Sequence, residues 1–211
     1  MSISENIQKI KKELPKEVTL VAVSKSKPIS DILKAYNSGQ LIFGENKVQE
    51  LVEKYKKLPK DIQWHMIGHL QTNKVKQITP FVSLIHGIDT KKLLIEINKR
   101  AKQNNRKIDC LLQMHIAKEQ TKFGFSKQEI EQIMEEQSTL LHVNIIGLMG
   151  MATFTSDETQ IKKEFNFLSS IFNKYNQLTT LSMGMSGDYK IAIKCGSNMV
   201  RIGSTIFGNR N

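Results

Sequence analysis

The stretch that decides the fold is VTLVAVSKSKPISDILKAYNSGQLIFG, residues 18–44. Its first part, VTLVAVS (18–24), is apolar almost throughout instead of alternating, as a parallel strand covered on both faces must be. A helical segment follows, with Ser30 standing before DILKAYNSG as its predicted start and Gly39 as its stop. LIFG (41–44) resumes a short apolar run, so the stretch reads strand, helix, strand. Outward from it the same rhythm gives QWHMIG (63–68), FVSLIHGI (81–88), IDCLLQMHI (108–116), VNIIGLMGM (143–151), TTLSMGM (179–185) and NMVRIG (198–203). Eight strands with intervening helices predict an α/β fold with one domain over residues 1–211, a (β/α)8 barrel of the TIM type, although an open doubly wound sheet has much the same linear pattern. Ser126 with Glu129 predicts a capping box, and Ser156, Asp157 and Glu158 open a long helix ending near Tyr175. Ile3, Ile7 and Ile10 predict an additional N-terminal helix, expected to cover the wall beside the eighth strand, after which no helix-length segment follows.

Composition narrows the function classes. Hydrophobic residues make up 39% and charged residues 24% of the chain, and no uncharged apolar run is long enough to span a bilayer. The N-terminus carries no apolar signal core, so a cytoplasmic protein without membrane attachment is expected. Cys110 and Cys195 lie in apolar stretches without CxxC spacing and read as reduced. The net charge of +11 favours anionic ligands in general. Only Arg100, Arg106, Arg201 and Arg210 are arginines, and the lysines are scattered along helix faces, which argues against a specific nucleic-acid reader.

Several strand runs end in, or lead into, a polar group: Lys25, Asn46, His65, Ser182 and Arg201. In a barrel such residues converge at the C-terminal mouth, where active sites form. A lysine leaving an apolar strand is partly desolvated, and desolvation favours the neutral amine that attacks an aldehyde, so Lys25 is the candidate Schiff-base lysine; taken alone it also fits a solvated side chain. SMGMSGDYKIAI and MVRIGSTIFG supply glycines and hydroxyls where barrels commonly cradle phosphate, after the seventh and eighth strands, making Ser182, Gly203 and Ser204 the candidates; ordinary turns and caps are the alternative reading. Trp64 and His86 fit either the core or the pocket.

Other motifs carry less. His65 and His69 have HxxxH spacing, but a strand pattern with Gly68 does not present both on a helix, and no metal site is expected. GMSG around Ser186 lacks the GxSxG of a nucleophile elbow, and neither a Walker loop nor GxGxxG occurs. Cys110 reads as a small core hydrophobe.

Six segments in order, VAVSKSKP, FGENKVQE, WHMIGHLQTNK, GLMGMAT, LSMGMSGD and MVRIGSTIFGNR, make the whole chain resemble the YggS/PROSC family of pyridoxal phosphate homeostasis proteins. The resemblance implies the barrel shared with the cofactor domain of alanine racemase, and pyridoxal 5′-phosphate held as a Schiff base on Lys25. It also implies phosphate contacts from Ser182, Gly203 and Ser204, Arg201 near the pyridine nitrogen, and Asn46 and His65 as pocket neighbours. Ser204 stands where the family usually has threonine, which keeps the hydroxyl. The function implied by the resemblance is intracellular cofactor homeostasis by storage, protection or delivery, without efficient catalysis: a guanidinium at the ring nitrogen weakens carbanion stabilisation, and the chain has no residues to spare for the second domain that alanine racemase uses. PLP-dependent apoenzymes are the implied recipients, and a monomer is expected. A weak racemase using the same lysine and a basic nucleic-acid binder are the alternatives, the second marked by steep salt dependence.

Overall fold

The computed structural model describes residues 2–119 and 123–208, so Asn209 and Arg210 of the last sequence segment lie outside the described residues. All eight predicted strands form: β1 (Thr19–Val23), β2 (Ile42–Glu45), β3 (Gln63–Met66), β4 (Leu84–Ile88), β5 (Ile108–Gln113), β6 (Val143–Met149), β7 (Thr180–Met185) and β8 (Met199–Ile202). They pair in parallel in chain order and close into a barrel. The seam sets Val21 opposite Arg201 and Ala22 opposite Ile202, which rules out the open doubly wound sheet. The run 81–88 overshoots its strand. Phe81 and Val82 bond back to the Ile78 carbonyl, and the Phe81 ring stacks on Tyr55 at a centroid distance of 3.8 Å, so that the strand begins only at Leu84.

Around the barrel lie α1 (Ile3–Glu13), α2 (Ile29–Asn37), α3 (Val48–Lys57), α4 (Val75–Ile78), α5 (Lys91–Gln103), α6 (Lys127–Glu136), α7 (Glu158–Phe172), α8 (Tyr189–Lys194) and α9 (Ser204–Phe207). The Ser126–Glu129 capping box forms at α6, and Asp157 caps α7 by accepting from the Thr159 and Gln160 amides. The start of α2 differs from expectation: Pro28 takes the cap position and Ser30 sits inside the first turn. Proline has no side-chain oxygen to cap with; the Pro28 carbonyl accepts from the Asp31 and Ile32 amides at 3.1 and 3.3 Å and closes the first turn instead.

Helix α1 lies where the sequence placed it. Ile7 and Ile10 are buried, and burying each contributes about 1.5–3 kcal/mol. Asn6 Nδ2 donates to the Ile206 carbonyl at 3.0 Å, Lys11 Nζ donates to the Gly39 carbonyl at 2.8 Å, and Tyr189 donates to Glu13 at 3.0 Å. The helix therefore spans the wall between α9 and α2, which the four-residue α9 is too short to cover.

Two apolar layers result. The larger fills the space between barrel and helices; the smaller, Val21, Leu84, Leu111, Met149 and Met199, plugs the barrel interior. Side chains two residues apart on a strand share a face. His86 follows Leu84 and Arg201 follows Met199 on that inner face, so a polar layer lies directly above the plug, towards the strands' C-terminal ends. Among the described residues no helix is long and apolar enough to cross a membrane.

Candidate functional site

Strand alternation sorts the ambiguous residues. Trp64 points outward into the shell, fully buried beside Phe43 at a ring-centroid distance of 5.9 Å. His65, its neighbour, points into the barrel, where its Nδ1 lies 3.0 Å from Nε2 of His86. His86 Nδ1 is in turn 3.1 Å from Ser182 Oγ. Arg201 completes the chain: Nη1 donates to the Ser182 hydroxyl at 2.6 Å and to its carbonyl at 2.9 Å, and Nη2 donates to the Gly150 carbonyl at 3.1 Å. One line of hydrogen bonds thus crosses the barrel from β3 through β4 to β7 and β8. His69, despite its spacing from His65, is not part of it. Its Nδ1 meets Asp89 at 2.6 Å and its ring stacks on the exposed Phe123.

Burial sets the charge state of this line. It pulls the His65 imidazole down to about 3 and holds His86 well below its ordinary value, His65 and Arg201 adding to the effect at His86. It also lowers Arg201 to about 10, against the opposing pull of Asp188, which leaves the guanidinium charged at neutral pH. With both rings neutral and Arg201 a pure donor, the distances accommodate an arrangement in which Ser182 accepts from Arg201 and donates to His86 Nδ1, and His86 Nε2–H donates to His65 Nδ1.

The candidate site residues gather at the same end of the barrel. Lys25 follows β1 in a half-buried turn, and Asn46 follows β2 with its Oδ1 buried and without a hydrogen-bond partner. Gly68, after β3, presses against Asn46 so closely that a Cβ there would stand 2.5 Å from the Asn46 carbonyl oxygen. Gly203 and Ser204 follow β8, the strand paired with β1, which places them beside the Lys25 strand. Ser182 differs from its expected position. Its hydroxyl is fully buried and engaged by Arg201 and His86, one layer below the rim. The hydroxyl near the rim is that of Ser186, in the turn just after β7, which accepts from the Gly203 amide at 3.2 Å and so ties together the loops after β7 and β8. Sequence reasoning placed phosphate contacts in SMGMSGDYKIAI but named Ser182 there and weighed Ser186 only as a nucleophile elbow; its place four residues beyond Ser182, before Gly187, was the available signal.

These groups suit a small anionic aromatic aldehyde. A half-buried lysine faces the β1 side, a buried guanidinium forms the floor, and glycine and serine groups lie after β7 and β8. Asn46 Oδ1 is a buried acceptor still open to a donor.

A family model described as alanine racemase, N-terminal domain, matches residues 1–211. Pyridoxal phosphate homeostasis proteins from Aquifex aeolicus and Schizosaccharomyces pombe are 39% and 36% identical over 197 and 202 residues, with 90% and 92% of this chain and 86% and 85% of theirs covered. Among solved structures, PipY of Synechococcus elongatus with PLP bound superposes at a TM-score of 0.91 with 31% identity, over 98% of this chain and 100% of that one. Alanine racemase from E. faecalis shares the fold at a TM-score of 0.80 and 15% identity, over 99% of this chain and 58% of its own. The chain therefore belongs to the alanine racemase N-terminal domain family and, within it, to the YggS/PROSC group of pyridoxal phosphate homeostasis proteins.

Proposed function

We propose that this protein binds pyridoxal 5′-phosphate as a Schiff base on Lys25 and serves intracellular homeostasis of the cofactor, storing, protecting or delivering it, without efficient catalysis of its own. The observation that carries the reading is the convergence, on adjacent strands of one barrel mouth, of Lys25 with Gly203 and Ser204, above a buried Arg201. In forming the link, the Lys25 amine bonds to the aldehyde carbon and the aldehyde oxygen leaves as water. Hydrolysis reverses the step, which suits a carrier. Ser186, Ser204 and the Gly203 amide are the phosphate-holding groups in this reading. Ser182 acts one layer down, fixing Arg201.

Bound pyridoxal phosphate supplies an electron sink, whose strength depends on what faces its ring nitrogen. Arg201 is a donor at neutral pH and cannot accept the nitrogen's proton, so it favours the unprotonated ring and weakens the sink. Holding the cofactor is favoured over transforming amino acids. PLP-dependent apoenzymes are the proposed recipients, and the protein is proposed to act as a cytoplasmic monomer.

The test is the visible spectrum of purified protein with pyridoxal phosphate, followed by borohydride reduction and peptide mapping. A Schiff-base band and a pyridoxyl adduct on Lys25, both lost in Lys25→Ala, are expected. No band and no adduct would refute the reading. Turnover of single amino acids that depends on Lys25 would replace the carrier with an enzyme.

A further inference from the structure

Beneath the Lys25 turn lies a buried charge cluster that the cofactor contacts do not use. Glu45, at the end of β2, is fully buried. Its Oε1 accepts from Lys54 Nζ at 2.8 Å and from Ser24 Oγ at 2.5 Å, while Oε2 is buried without a hydrogen-bond partner. Lys54, on α3, is itself buried, and its ammonium makes two further bonds: to the Ser24 carbonyl at 2.8 Å and to Glu50 Oε2 at 3.3 Å. Glu50 Oε2 also accepts the Ser26 amide at 2.8 Å.

The bonds to Ser24 and Ser26 bracket Lys25. The Ser24 carbonyl belongs to the peptide unit entering Lys25, and the Ser26 amide belongs to the unit leaving it. Both are gripped by side chains of one helix. The turn between them needs the grip. Lys27 N–H closes it onto the Ser24 carbonyl at 3.0 Å, and Ser26 adopts φ +62°, a left-handed conformation that disfavours any residue bearing a Cβ.

Maintaining this cluster is costly. A buried ion pair regains its desolvation cost only with good geometry, and apolar residues in its place commonly serve stability as well or better. Burial raises the Glu45 carboxyl's pKa even against the pull of Lys54 and Ser24. A group this expensive, placed where it holds the two peptides around one lysine, is explained by what it positions.

We propose that Lys54, seated on Glu45 and Glu50, is the positioning residue of the Schiff-base lysine: it holds the peptide unit entering Lys25 directly and the unit leaving it through Glu50, and thereby aims the amine at the aldehyde. The proposal rests on Lys25 being the attachment point. Lys54 touches neither cofactor nor reacting atoms and acts through the backbone alone.

The experiment uses the full chain carrying Lys54→Met, Lys54→Arg or Glu50→Ala, with two probes. Pyridoxal phosphate reports attachment through the rate of growth of its Schiff-base band and the borohydride-trapped yield on Lys25. Pyridoxine 5′-phosphate has an alcohol in place of the aldehyde and reports the ring and phosphate contacts alone. Losing one or two charge-assisted hydrogen bonds slows attachment by about tenfold in Lys54→Met and Glu50→Ala. Pyridoxine phosphate affinity stays within about twofold of the wild type, since that ligand does not use the amine. Lys54→Arg restores part of the rate. Glu50 is partly exposed, so Glu50→Ala carries the test should Lys54→Met fail to fold. Wild-type attachment rates in Glu50→Ala overturn the proposal, and so does a parallel loss of affinity for both probes, which marks a merely structural role. A wild-type protein that gives no Lys25 adduct overturns the cofactor reading itself, a result distinct from either.

Discussion

Acid exposes the cost of the buried imidazole line. His65 and His86 are both held neutral by burial, with His65 near 3 against an ordinary value of 6.5 and His86 also depressed. A depressed folded-state value means that the unfolded chain binds more protons below 6.5, so stability is present above that pH and is lost as pH falls towards the folded value. Each pH unit below 6.5 then removes about 1 kcal/mol through His65, and His86, depressed in the same direction, steepens the loss. From pH 6.5 to about pH 5 the loss through His65 alone reaches about 2 kcal/mol, a sizeable part of the ~5–15 kcal/mol that holds a domain together. Urea unfolding at several pH values across this range, on wild type and His65→Asn, measures the slope. Most carboxylates titrate below about pH 4.5, and Glu45, whose carboxyl burial raises, is common to both proteins compared, so the difference between their slopes reports His65. Asparagine sets its Oδ1 near where Nδ1 accepted from His86, so the line survives with one titrating ring fewer. The variant's slope should be shallower by about 1 kcal/mol per pH unit, the share of the one imidazole removed. Parallel curves for the two proteins would refute the neutral state assigned to His65.

Ser186→Ala removes the hydroxyl that links the loops after β7 and β8, and should weaken binding of pyridoxal phosphate about tenfold by equilibrium dialysis, while the adduct on Lys25 still forms at saturation. Gly147→Ala would push a Cβ to 1.7 Å from the Thr180 carbonyl oxygen, at the place where β6 pairs with β7; a loss of about 3 kcal/mol or failure to fold is expected from chemical denaturation. Cys110 is fully buried and its thiol is pushed well above the ordinary range, first by burial and then by Asp109, so native protein should leave it unlabelled by iodoacetamide and denatured protein should not.

The barrel was legible because its evidence is periodic. Eight apolar runs separated by helix-length segments survive an error of a few residues at either end, as the early start given to β4 illustrates. Lys25, Asn46, His65, Arg201, Gly203 and Ser204 were legible as a group because a parallel barrel delivers strand ends to one face. What stayed hidden depends on depth and on contacts between distant residues. Ser182 and Ser186 are four residues apart, one in β7 and one in the turn after it, and sequence alone does not say that one hydroxyl is engaged by Arg201 while the other reaches the rim. His86 was undecided for the same reason, since both of its partners lie on other strands. Lys54 was one lysine among many on a helix rich in them. Only the packing of α3 against the first turn shows that its ammonium points inward.

The strap formed by α1 also bears on how the chain matures. The helix emerges from the ribosome before any strand, yet its partner at Ile206 lies two hundred residues downstream. Until β8 docks against β1, Ile7 and Ile10 have only part of their surroundings to pack on, and the barrel has an open seam. Closure is therefore a late, long-range event, and long-range closure is slow. A nascent chain stalled before Met199 should be cut by protease within α1, where the completed protein resists.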